Sequence, residues 1–177
     1  MQERLLGVSE RLGRLGWILG LVCLVCSCSA LQAQSGAADA FNKLKTLSGQ
    51  WVSKTADGKS VTTSFHVTAG GSAVLQMLME GMDDEMPTLY HMDGDRLMVT
   101  HYCAAQNQPR MVLAPATSSA STMRFQFLDA TNLTSPEAGH MHAIAITFLG
   151  PDKLRQEWTY REKGKETVEA FELERKR

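Results

Sequence analysis

Beyond residue 33 the chain has one cysteine, Cys103; the other three, Cys23, Cys26 and Cys28, crowd together near the amino terminus. A lone cysteine forms no internal disulfide, so the part that holds it must rest on its buried core. No G-x-S-x-G, no H-E-x-x-H and no phosphate-cradling glycine loop occurs, which leaves no motif of a familiar enzyme class. An excess of positive charge is also missing. Setting Arg4, Arg11, Arg14, Glu3 and Glu10 apart from 18 basic and 19 acidic residues leaves 15 and 17. That balance argues against a nucleic-acid partner held by phosphate neutralisation. No basic cluster points to a membrane surface either.

The amino-terminal segment has the three-part layout of a secretory signal peptide, over residues 1–33. Arg4, Arg11 and Arg14 precede an uncharged run, 15–26, and small residues follow up to Ala30 and Ala33. The run is 12 residues long, where a membrane-spanning helix needs roughly 20. The expectation is an exported protein, periplasmic or extracellular, with no membrane span once the signal is removed. Cleavage after Ala30 or Ala33 is one outcome, and a lipid anchor on Cys28 is another. The remaining 144 residues suit one domain with a core of its own.

Residues 34–37 are a short polar lead, expected to be disordered, before a domain spanning 38–177. Phe41, Leu44 and Leu47 recur at helical spacing and predict one short helix over 38–47. From Gly49 onward the apolar period is two. Turn signals such as Asp93-Gly94, Gly150-Pro151-Asp152 and Lys163-Gly164 separate runs of strand length. The expected strands are 49–55, 60–68, 73–80, 86–92, 95–103, 109–114, 123–128, 140–149, 153–161 and 166–175. The fold class is all-β: an antiparallel up-and-down barrel of about ten strands, because closing the sheet removes exposed edges.

A short helix leading into Leu47-Ser48-Gly49-Gln50-Trp51 resembles the entrance of a lipocalin-like (calycin) barrel. Longer stretches are similar to a family of secreted bacterial lipocalin-like proteins with no assigned function. They are 89–97, Thr100-His101-Tyr102-Cys103, 107–111, Thr131-Asn132-Leu133, His140-Met141-His142 and Gln156-Glu157-Trp158. The resemblance covers roughly 40–177. It implies a barrel and no activity; fold analogy adds that such barrels often hold one small apolar ligand.

Alternation also assigns faces. His101 and Cys103 share a face with Leu97 and Val99, and His140 and His142 share one with Ile144, Ile146 and Phe148. All four are expected inside. The leading reading is a binding protein for a small, largely apolar molecule. His101, His140 and His142 give polar contacts, Trp158, Tyr160, Phe148 and methionines line the rest, and Arg110 meets a carboxylate or phosphate at the mouth. Arg110 could equally pair with an acidic neighbour. The leading reading requires no cofactor. A second reading gathers His101, His140 and His142, with Cys103, around a transition metal, or uses one histidine for haem iron. A third is a barrel filled by its own side chains whose outside binds another protein. Catalysis by Cys103 with His101 as base is disfavoured, because neighbours two apart on a strand stand about 7 Å apart. The sequence is silent on oligomeric state.

Overall fold

The computed structural model describes residues 36–54 and 58–177. Residues 1–33, expected to be a signal and holding Cys23, Cys26 and Cys28, lie outside the described residues, as do Gln34 and Ser35. A helix, α1, occupies 36–45, and Thr46 and Leu47 turn out of it. It therefore begins within the stretch expected to be a disordered lead. The reason lies on its buried face, which Ala37 extends ahead of Phe41, Leu44 and Leu47. These positions fall three or four apart, the spacing that lines up one side of a helix.

Ten strands follow: β1 (Gly49–Lys54), β2 (Ser60–Thr68), β3 (Ala73–Leu78), β4 (Met86–Asp93), β5 (Arg96–His101), β6 (Gln108–Leu113), β7 (Thr122–Thr131), β8 (His140–Gly150), β9 (Lys153–Glu162) and β10 (Lys165–Arg175). Each pairs antiparallel with its neighbours in sequence, and β1 pairs with both β2 and β10, so the sheet is a closed barrel. The expected all-β up-and-down architecture is what the chain forms. The β9–β10 hairpin turns on Lys163 and Gly164, both at positive φ (48° and 72°), as a two-residue turn between twisted strands requires.

The two ends of the barrel differ. At one end α1 packs its apolar face onto the core and the connections 94–95 and 151–152 are tight. Trp51 Nε1 donates to the Leu47 carbonyl at 2.7 Å. Arg175 closes that corner, donating to the carbonyls of Ser48 (2.7 Å) and Thr46 (3.0 Å). At the other end lie 79–85, 102–107 and 132–139 with the tight turn 163–164, while the long connection 114–121 belongs to the helix-capped end, where Lys43 Nζ donates to the Ala120 carbonyl. The core runs between, through Trp51, Phe65, Tyr90, Leu97, Met111, Phe125, Ile144, Ile146, Leu154, Trp158 and Leu173, in one continuous cluster.

Candidate functional site

The barrel interior carries polar groups as well as apolar ones. Tyr90 Oη donates to Gln76 Oε1 at 2.8 Å, and Gln76 Nε2 donates to Gln156 Oε1 at 2.8 Å. Gln156 Nε2 returns to Gln76 Oε1 at 3.2 Å. All three side chains are fully buried, and burial holds the Tyr90 phenol far above its ordinary range. Network and apolar cluster together fill the middle of the barrel.

His101 lies inside as the alternation of β5 requires, since its cross-strand partner is the inward Thr88. Thr88 Oγ1 and His101 Nδ1 are 2.8 Å apart, and the imidazole lies 4.8 Å from the Trp158 ring. His101 Nε2 and Trp158 Nε1 have no hydrogen-bond partner among the side chains and backbone around them. Burial lowers the His101 pKa from 6.5 to about 4, so the ring is neutral near pH 7.

His140 and His142 are not beside it. Strand β9 runs without a break against β10, so Leu154, Gln156, Trp158 and Tyr160 share the inner face, and Arg155, Glu157, Thr159 and Arg161 the outer one. In β8, Ile144 opposes Trp158 and Met141 opposes Tyr160, while His140 opposes Arg161; the register shifts between Met141 and Ala143. His142 is the extra residue of a β-bulge, and the bulge reverses the alternation before it. The expectation that both histidines face inward with His101 is therefore corrected: they turn toward Arg161 and the connection 132–139.

There they build a cleft of about 660 Å³, lined among others by Phe127, Leu133, Pro136, His140, His142 and Arg161. The connection above it is held at three successive residues. Lys163 N–H donates to the Glu137 carbonyl at 3.0 Å, His140 Nδ1 to Ala138 at 2.8 Å, and Asn107 Nδ2 to Gly139 at 2.8 Å. His140 Nε2 lies 3.2 Å from His142 Nδ1, and His142 Nε2 lies 3.2 Å from Arg161 Nη1. The Phe127 ring stacks on His142, with centroids 5.1 Å apart and planes at 22°. It also meets His140 at 4.6 Å. Burial, then the Arg161 charge, then His140 hold His142 below its usual pKa, and Glu166 acts the other way.

The other expected site residues disperse. Trp158 and Tyr160 are inward on β9, with Tyr160 toward the cleft end against Gly139. Phe148 faces Leu154 at the helix-capped end, with the Lys43 ammonium 4.2 Å above its ring. Arg110 does not reach a mouth. Its guanidinium forks onto Asp129, with Nε 2.6 Å from Oδ1, and both side chains are half exposed. Cys103 sits just past β5, half-buried, its thiol pushed up in pKa by burial, while backbone hydrogen bonds at Ala105 and Met141 act the other way.

The expected metal set of His101, His140, His142 and Cys103 is thus not assembled. Among the described residues no group of three or more His, Cys, Asp or Glu is placed to hold a metal ion. Nor are the three expected histidines presented to haem iron. His101 is wholly buried against Trp158, and His140 and His142 use both ring nitrogens within the chain.

Phe127, Leu133 and the connection 132–139 were missed as site-forming residues. The available signal was the length of that connection, since long loops at one end of a barrel are where ligand sites concentrate. No family model matches this sequence, and no curated protein matches it.

Proposed function

We propose that this chain is an exported, lipocalin-like binding protein for a small, largely apolar molecule, and that the molecule seats in the cleft beneath 132–139. The observation that carries the reading is the cleft itself. Its volume is within the range of small-molecule sites, and Phe127, Leu128, Ala130, Leu133 and Pro136 give it an apolar portion, beside the charged Asp129, Glu137, Arg161, Glu162 and Lys163. Its histidines already have hydrogen-bond partners in the chain. A guest that meets satisfied polar groups gains chiefly by covering apolar surface, so an uncharged, apolar body suits it better than a multiply polar one. The packed interior supports this placement over one deep in the barrel.

The test is the mass of the protein, purified from its own host's envelope, under native and then denaturing conditions, beside a Leu133→Asp variant. The reading expects an organic mass on the wild-type chain and little or none on the variant. Equal loading of both would move the ligand out of the cleft. No bound mass on either would sink tight binding of a small molecule. It would favour a second reading, a filled barrel acting through its outer wall, where Val168 is 60 % exposed beside a shallow groove floored by Ala143, Ala145 and Thr159.

A further inference from the structure

The chain of contacts from Ala138 to Arg161 has a fixed polarity. A backbone carbonyl can only accept, so His140 Nδ1 carries its proton. A guanidinium can only donate, so His142 Nε2 carries none. The middle contact then has one solution, His142 Nδ1–H donating to His140 Nε2. Both imidazoles are neutral, both are Nδ1–H tautomers, and every link depends on the others.

We infer that this histidine pair is a proton-sensitive latch on the cleft, closed when both rings are neutral and broken by a single proton on His142. The inference rests on the proposed binding role and adds its regulation. A proton on His142 Nε2 would point an N–H at an N–H of Arg161, and the link becomes a repulsion. The ring must then turn away, and it takes with it the face that stacks on Phe127 and the donor that orients His140 against Ala138. An apolar guest loses a wall and gains a charge, which is costly to cover with apolar surface.

The titratable and charged groups facing His142 come from three strands. His140 lies on β8 itself, Arg161 on β9 and Glu166 on β10, with Arg161 Nη1 3.9 Å from Glu166 Oε1. Phe127 on β7 is uncharged. Around the rim stand Glu137, Glu162 and Lys163, and Asp129, which Arg110 neutralises. Glu166 is the one carboxylate that favours the proton on His142, and Arg161 stands between them as its competing partner.

The experiment uses the full chain labelled with 15N-histidine, read by NMR through an acid titration, with the uncharged dye N-phenyl-1-naphthylamine as the cleft probe. Near neutral pH both rings should show the Nδ1–H tautomer, which is the less common one for histidine in water. On acidification His142 should titrate below a free histidine, and dye affinity should fall with it by about tenfold, the effect of coupling by one pKa unit. A His142→Gln variant keeps a donor and an acceptor but no titration, and its dye affinity should stay flat to within about twofold. Either ring in the Nε2–H tautomer, or ordinary titration of His142, would overturn the latch. Dye affinity independent of pH while His142 titrates would overturn its link to the cleft and leave the binding role standing. Failure of the dye to bind at any pH would overturn the apolar cleft, and the latch with it.

Discussion

Gly139 lies directly against the hydroxyl of Tyr160: a Cβ at position 139 would stand 1.7 Å from that oxygen and 2.5 Å from the ring carbon bearing it. The close approach lets 132–139 fold down onto the end of β9, and the hydrogen bond from Asn107 fixes it there. Gly139→Ala should therefore destabilise the barrel by about 1–3 kcal/mol, the usual cost of forcing an extra group into a filled space. Tyr160→Leu, which removes the clashing end of the ring, should restore most of that loss in the double variant. Chemical denaturation of the four proteins of this cycle measures it, and additive costs would show that the two residues do not collide.

Stability should fall in acid, and His101 sets the range. Its pKa is 6.5 when unperturbed and about 4 in the barrel, so between those values the unfolded chain binds the extra proton and the native chain does not. Stability then decreases as pH drops through that range, by about 3 kcal/mol in all from this one group. His142, whose pKa is also lowered, acts in the same direction. His101→Gln should flatten most of the slope in urea-derived stabilities measured from pH 7 to pH 4. An unchanged slope would place the acid sensitivity elsewhere.

Removing half of the Thr88–His101 pair should hurt more than removing all of it. Thr88→Val leaves a buried imidazole with neither nitrogen partnered, at a cost of about 1–3 kcal/mol. Thr88→Val with His101→Phe replaces both polar groups by apolar ones and should lie within about 1 kcal/mol of wild type. Thermal melts of the single and double variants decide between this and a structural need for the imidazole.

Arg175 touches three things at the helix-capped end: the carbonyls of Thr46 and Ser48, the Trp51 ring 4.3 Å below its guanidinium, and Asp152 at 3.1 Å. A lysine has the charge without the planar fork. Arg175→Lys should lose about 1–2 kcal/mol, in keeping with the loss of one or two backbone hydrogen bonds. Amide exchange should show the loss first at β1 and the end of α1. Exchange that rises evenly over the barrel would argue against a local clasp.

The ten strands were legible because alternation and turn residues agree along nearly the whole chain. Leu154, Trp158 and Tyr160 face inward as period two demands, and Lys163-Gly164 turns as its composition demands. The site was legible only where that regularity lasts. His101 lies on an unbroken strand, and its face came out correctly. His142 lies at a bulge, and one inserted residue was enough to move His140 from the inner face to the side of Arg161. The bulge marks the hydrophobic pattern only as one break in period two, with the inward Met141 and Ile144 three apart, and the histidines at 140 and 142 masked it by continuing the alternation of Ile144 and Ile146. The Arg110–Asp129 pair was hidden for another reason. Its partners stand 19 positions apart, and only the register of β6 on β7 brings them together.

The ring is joined where β1 meets β10, through Trp51 opposite Arg175 and Val52 opposite Glu174. β1 is thus completed by β10, across nearly the full length of the domain. No partly made chain can close the barrel, and contacts of such long range form slowly. Until closure comes, the free edges of β1 and β9 stand open as templates for another chain, so the join of β1 to β10 is also what protects the sheet from association.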